Sequence, residues 1–203
     1  MSASPWLDAR YPAVVALVST VDGEGRVNAS PKVWWSPTSY SPPMLMLSVK
    51  PDTDTRLNID ETGMFVLHLP GGSDIEEVRQ VLHTAKRLPH GDNELDDVGL
   101  KWQWLEHDAL ERPMPYCPQF PWFCCWVTWR TSHGDHELYL AQVGLSGGYE
   151  PAELHEDTVE GDDRAIRSFS WYSGGIGEVL LHRGRNVFVA PESDSQFSVP
   201  PYR

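Results

Sequence analysis

The pattern of apolar and polar positions along this chain is mostly one of short extended runs. Ala13 to Thr20 (AVVALVST) is a β-branched apolar run that stops at Asp22-Gly23-Glu24-Gly25, which predicts a strand and a tight turn. Val27 to Val33 resumes the extended pattern, so the two runs read as a hairpin. Met44 to Val49 (MLMLSV) follows Ser41-Pro42-Pro43 and has the continuous apolar character of a buried strand. Met64 to Leu69 is a further strand. Trp122 to Arg130 and Glu137 to Val143 flank His133-Gly134-Asp135-His136 as a second hairpin, and Gly177 to Leu181 and Asn186 to Ala190 flank Arg183-Gly184-Arg185.

Two stretches have helical character. Asp54 to Thr62 is short, with Asp52 or Thr53 as its cap and Gly63 at the position beyond its end, where a left-handed residue is favoured. Ile75 to Arg87 places Ile75, Val78 and Leu82 at helical spacing behind Ser73-Asp74. Many short strands joined by Gly and Pro turns, with so few helices, predict a mainly β protein: a closed antiparallel barrel with one or two covering helices. Tyr149 to Asp163 is an acidic stretch without periodicity. No repeat or linker composition divides the 203 residues, so a single domain is expected.

Charge and cysteine usage narrow the class. A formal charge of -13 argues against nucleic acid as a partner, because phosphate backbones require clustered Lys and Arg. No apolar run approaches the roughly 20 residues of a membrane-spanning helix, and MSASPWLDARYP has no signal-peptide core, so a soluble cytoplasmic chain is expected. Three cysteines, Cys117, Cys124 and Cys125, are too few and too close for a disulfide framework. With His133 and His136 they match no zinc spacing, and Cys124 and Cys125 should face opposite sides of one strand, as buried structural thiols. No metal site is expected.

The candidate chemistry lies between Asn28 and Asn58. That segment mixes hydroxyls, the cations Lys32 and Lys50, and the pair Trp34-Trp35, a combination suited to a ligand with a flat aromatic part and an anionic tail. Lys50, Thr53, Thr55 and Asn58 surround a helix N-terminus, where unpaired N–H groups and the helix dipole favour an anion. Asp52 and Asp54 oppose that reading unless Lys50 and Arg56 offset them or they face solvent. Each residue has a plainer alternative: the tryptophans as core or interface, the threonines as caps, Asn28 and Ser30 as partners of turn backbone groups.

In order and spacing, Ala13 to Thr20 followed by DGEGRVNASPKVWWSP, then Ser39, Pro42-Pro43 and TDTRLNIDETGMFVLHLP, resembles the flavin reductase-like, FMN-binding split-barrel family. Gly134-Asp135-His136 with ELYLAQV, and Trp171-Tyr172-Ser173-Gly174-Gly175, resemble later elements of the same family, so the likeness runs from about Tyr11 to about Gly175 and leaves a C-terminal extension from about Ile176. The resemblance implies a six-stranded antiparallel Greek-key barrel, a homodimer, FMN (alternatively FAD) as cofactor and NAD(P)H as co-substrate. It implies hydride transfer to flavin N5 and electrons passed to a partner monooxygenase or another acceptor.

In the family pattern Trp34, Trp35, Ser36, Pro37 and Thr38 pass the flavin ring, Ser39 adds a hydroxyl, and Ser30 to Lys32 lies close to the ring. Lys50, Thr53, Thr55 and Asn58 would hold the phosphate end, and Asn28 is a further cofactor-binding candidate. His136 is the catalytic candidate, orienting nicotinamide or reduced flavin; its alternative is a solvent-facing strand start. His68 stands where the family often has Asn, which implies an altered pocket wall. Two other readings remain: a flavoenzyme of this fold acting directly on an organic substrate, for which nine tryptophans give a rationale, or a non-catalytic barrel binding flavin or haem.

Overall fold

The computed structural model describes residues 13–71, 74–84, 92–148, 181–182, 187–189 and 196–198. The first apolar run divides into β1 (Ala13–Val14) and β2 (Ala16–Val21), and β2 turns into β3 (Val27–Lys32) with Thr20 opposite Asn28. The Asp22 carboxylate organises that turn: Oδ1 accepts the backbone N–H groups of Glu24 (2.9 Å) and Arg26 (2.8 Å). Gly25 supplies the positive φ of 86° that the turn needs.

The chain continues through β4 (Trp35–Tyr40), β5 (Pro43–Val49), α1 (Asp54–Thr62), β6 (Met64–His68), α2 (Ile75–Thr84) and α3 (Glu94–Asp97). A short ribbon of β7 (Gln103–Leu105) and β8 (Met114–Tyr116) precedes the long hairpin β9 (Trp122–His133) and β10 (His136–Gly147). Helix α1 has the expected bounds. Thr53 caps it, its hydroxyl accepting the Arg56 N–H at 3.3 Å, and Gly63 closes it at φ 69° with its own N–H on the Ile59 carbonyl.

Seven strands, one more than the expected six, form the main antiparallel sheet in the order β3-β2-β6-β9-β10-β5-β4. The additional strand is β4, whose sequence WSPTSY reads as a polar turn because it is an exposed edge with no apolar alternation. Three strands separate β2 from β5 in the sheet, yet Ala16 and Val18 share one core with Leu45, Leu47 and Val49. The sheet is therefore curled into a barrel. Phe65, Leu67, Phe123, Cys125, Tyr139 and Ala141 fill the interior, and Ile59 of α1 closes it. The seam is joined by a side chain: the Trp35 indole N–H on β4 donates to the Val14 carbonyl at 2.9 Å.

Helix α1 is held over the barrel by polar contacts as well. The buried Tyr139 hydroxyl donates to Asp60 Oδ1 at 2.8 Å, and Arg130 hydrogen-bonds the same carboxylate. Arg56 Nε lies 2.9 Å from Asp60 Oδ2 as an ion pair without hydrogen-bond alignment. Burial first, and then the Asp60 partner, hold the Tyr139 hydroxyl far above its ordinary pKa.

Two further apolar clusters cover the outer face. Leu17, Val27 and Ala29 pack with Val81, Leu95, Cys117 and Phe120, and the β7–β8 ribbon helps cover Val21, Met64, Val66 and Cys124. The three cysteines thus fall in three separate clusters, with Cys124 outside and Cys125 inside the barrel. Burial raises each thiol above its usual pKa, so all are structural rather than reactive.

The C-terminal signals survive as short strands. β11 (Leu181–His182) pairs with β1, β12 (Val187–Val189) pairs with β11, and β13 (Gln196–Ser198) follows. The acidic stretch Tyr149 to Asp163 and the Trp171 to Gly175 element lie outside the described residues.

Candidate functional site

The seam between β3 and β4 gathers part of the expected set at one end of the sheet. On β3, Lys32 donates from Nζ to Ser30 Oγ at 2.8 Å. Immediately after β3, the Trp34 carbonyl accepts the Ser48 N–H at 2.8 Å, and its ring lies 4.5 Å, centroid to centroid and tilted by 39°, from the His136 imidazole. His136 Nδ1 is 2.7 Å from Asp135 Oδ1, which holds the Asp135 carboxyl below its ordinary range. The Thr53 hydroxyl donates to the Lys50 carbonyl at 2.9 Å and so fixes the chain where Lys50 leaves β5. Lys50 in turn acts electrostatically on both Lys32 and Asp135. Ser30, Trp34, Lys50, Thr53 and His136 therefore share one locality, and Lys32 belongs with them.

Lys32 is the unusual cation. Burial lowers its pKa to about 8; a nearby Glu94 carboxylate works against that shift and Lys50 works with it. An amine beside a hydroxyl, with a second cation in electrostatic range, suits an anionic group.

Other expected residues are used internally. The Asn28 amide donates to Thr20 Oγ1 at 3.1 Å and to Thr55 Oγ1 at 3.2 Å, and the Asn58 amide donates to Thr20 Oγ1 at 3.1 Å. Asn28, Thr55 and Asn58 are all buried, and this network pins α1 to the β2–β3 hairpin. The neighbouring cavity of about 240 Å³ between that hairpin and α1 is lined by Asp22, Asp54 and Glu61 against the single cation Arg26. Its charge repels phosphate; the cationic alternative is the Lys32–Lys50 locality.

The remaining candidates lie along the edge strand. Trp35 spends its indole N–H on the seam and packs against the interior core. Ser36, Pro37 and Thr38 are exposed on β4, and Ser39, beyond a register shift, pairs with Met44 at the opposite end of β5 from Lys50. His68, expected on a pocket wall, is fully buried instead. Its Nε2 accepts the Cys117 N–H at 3.0 Å, so Nδ1 carries the proton and donates to the Leu17 carbonyl at 3.0 Å. Burial lowers its pKa to about 4. It is a neutral staple joining β2, β6 and the segment after β8.

Sequence reasoning missed Glu94. Its Oε2 accepts the Ala29 N–H at 2.9 Å from a buried position on α3. Only the third dimension brings it within electrostatic range of Lys32, sixty-odd residues earlier in the chain, and no motif announces that contact.

With this geometry in view, relatives give the fold its family. The flavin reductase like domain matches residues 9–154, and the chain belongs to that family. The protein YwrF of Bacillus subtilis, uncharacterized, is 33% identical over 93 residues, covering 44% of each chain. The matched stretch is less than half the length of the curated relatives. Among solved structures, an FMN-binding protein from Thermus thermophilus with bound p-hydroxybenzaldehyde superposes with TM-score 0.67 at 18% identity, covering 96% of this chain and 95% of that one. Nitrilotriacetate monooxygenase component B from Bacillus cereus gives TM-score 0.63 at 18% identity, covering 93% and 88%. The fold is the flavin reductase-like split barrel.

The chemistry of the seam residues suits a flavin: Trp34 and His136, in contact with each other, would present one aromatic surface to a ring, and Ser30, Lys32 and Lys50 would offer a hydroxyl and two cations to anionic parts.

Proposed function

We propose that this protein is a flavin-dependent oxidoreductase that binds FMN at the β3–β4 seam, takes hydride from NAD(P)H and passes the electrons to a partner monooxygenase or another acceptor. The observation that carries the proposal is the convergence of Ser30, Lys32, Trp34, Lys50 and His136 at one end of a flavin reductase-like barrel.

A bound flavin supplies the redox chemistry by accepting hydride at N5. The chain's own residues have the other tasks. Lys32 and Lys50 neutralise negative charge, Ser30 orients a polar edge, and Thr53 holds the backbone at Lys50. His136, set by Asp135 and resting on Trp34, is the residue placed to orient a second ring such as nicotinamide. No proton transfer by the protein is required, which agrees with the structural, high-pKa character of the cysteines.

The working form is a homodimer. Support comes from the outer face, where the exposed Trp129 lies in one cross-strand row with Leu140 and Met46. An apolar row of that kind on a sheet face favours a partner surface.

Fluorescence titration with FMN and FAD, followed by NADH and NADPH oxidation with flavin present, tests the proposal. Saturable flavin quenching with flavin-dependent nucleotide oxidation is expected. Tight flavin binding with poor reduction of free FMN would instead favour direct action on an organic substrate. No flavin binding, or a haem Soret band in the purified protein, would refute it.

A further inference from the structure

The cavity of about 240 Å³ between the β2–β3 hairpin and α1 has no part in the flavin reading, and its polar wall is one-sided. Arg26 is the one cation among the described residues lining it, and that guanidinium is spent on its own hairpin, on Asp22 and Glu24. Asp22 is saturated in turn, since its Oδ1 accepts two backbone N–H groups. The rest of the polar wall consists of acceptors. Asn28 and Asn58 are 5% and 7% exposed, and each donates from Nδ2 to Thr20 Oγ1. Thr20 has one hydroxyl hydrogen and meets both amides, so at least one amide must turn its nitrogen to it and its oxygen away. Among the described residues neither Oδ1 accepts a hydrogen bond, and neither is sealed from solvent. Both residues line the cavity, and that is where these oxygens open.

We propose that this cavity is a second binding site, for a small aliphatic ammonium ion: the ammonium donates to the Asn28 and Asn58 amide oxygens, Asp54 and Glu61 balance its charge, and its alkyl part lies on Val27 and Leu57. Glu61 Oε1 occupies the space that a Cβ on Gly23 would fill, so this carboxylate lies against the hairpin turn. An ammonium carries three donors and no acceptor, which matches a wall with only acceptors to spare. A ligand that brings donors also relieves two largely buried oxygens that the protein leaves unpaired. The volume is below the roughly 300 Å³ at which pockets for drug-sized ligands begin, which limits the ligand to a handful of heavy atoms. None of Ser30, Lys32, Trp34, Lys50 and His136 lines the cavity, so the site is separate from the seam.

The experiment uses the full chain without flavin and n-butylammonium chloride as the probe, with n-butanol and sodium butyrate as controls. The side-chain NH₂ resonances of Asn28 and Asn58 are followed in ¹H–¹⁵N spectra. Saturable shifts of both are expected with butylammonium, with a Kd on the order of 1 mM. Butanol should bind about tenfold more weakly, for want of the charge, and butyrate should leave both resonances in place. Glu61 is exposed, so Glu61→Gln should weaken butylammonium about threefold, and Asp54→Asn combined with it about tenfold. Gly23→Ala displaces the Glu61 carboxylate from the turn and should reproduce the Glu61→Gln loss with the charge still present.

Shifts that grow without saturating, or equal binding of butanol and butylammonium, overturn the inference. Saturable binding that leaves the Asn28 and Asn58 resonances unmoved, or that Glu61→Gln and Gly23→Ala both leave unchanged, overturns the assignment to this cavity. Glu61→Gln changes one exposed side chain, so it carries the test by itself if the double variant unfolds.

Discussion

His68 should make this protein acid-sensitive by an amount that can be calculated. Its imidazole is fully buried and neutral, with Nε2 accepting from Cys117 and Nδ1–H donating to Leu17. The folded pKa is about 4 against 6.5 for the free side chain. As pH falls below 6.5 the unfolded chain takes up the proton first, so stability is full above that pH and is lost toward pH 4. Between pH 7.5 and pH 5 this one group removes about 2 kcal/mol, and the full displacement corresponds to about 3 kcal/mol. Glu94, whose pKa is raised by burial, has the opposite slope, so the single-group effect must be read as a difference between variants.

The comparison is His68→Asn. The shorter amide can still donate toward the Leu17 carbonyl but leaves the Cys117 N–H without an acceptor, which costs about 1–3 kcal/mol at pH 7.5. Urea unfolding followed by tryptophan fluorescence, at pH 7.5 and 5 without flavin, gives both numbers. The variant should be less stable at pH 7.5 and should lose about 2 kcal/mol less than the parent on going to pH 5. Equal losses in the two proteins would refute the account of His68 as a buried neutral staple.

Three other outcomes are expected. Thr53→Ala removes the α1 cap and the tether on the Lys50 carbonyl, lowering stability by about 0.5–2 kcal/mol in urea unfolding and weakening FMN in the same titration used above. Trp35→Phe keeps the ring but frees the Val14 carbonyl, which should cost about 1 kcal/mol and speed amide exchange at the seam. If the proposed homodimer forms through the apolar row of Trp129, Leu140 and Met46, Trp129→Glu should shift the chain from dimer to monomer in sedimentation, with unfolding of the monomer little changed.

Legibility in the sequence followed the range of the interactions. Helix α1 was readable to the residue because Thr53 and Gly63 act through their own neighbours. The β9–β10 hairpin is longer than its apolar pattern: Thr128 to Ser132 are largely exposed, yet the ladder continues to His133 opposite His136. Hydrogen bonding, not burial, extends it. β4, α3 and the β7–β8 ribbon escaped because each is short or polar and is defined by what it packs against. For the candidate site, the family pattern pointed to Ser30, Trp34 and His136 and the helix-terminus argument to Lys50, residues the fold brings together, but composition could not divide hydroxyls and amides between ligand and scaffold. Asn28, Thr55 and Asn58 look no different in sequence from ligand contacts. Their use in a buried network depends on α1 docking on the β2–β3 hairpin, where Asn28 bonds Thr55 twenty-seven residues away and Asn58 bonds Thr20 thirty-eight residues away. Glu94 and His68 are of the same kind, with meaning only where distant strands meet.

The seam itself has a consequence for how the protein avoids self-assembly. The main sheet ends in two edge strands, β3 and β4, and sheet edges are templates on which foreign strands can add. Pro31 stands in one edge and Pro37 in the other, each without an N–H to offer, and a register shift follows Pro37. Lys32 adds a charge that an incoming strand would have to bury. Prolines and a cation in these edges disfavour the addition of a foreign strand, so the edge chemistry works against strand-by-strand self-assembly.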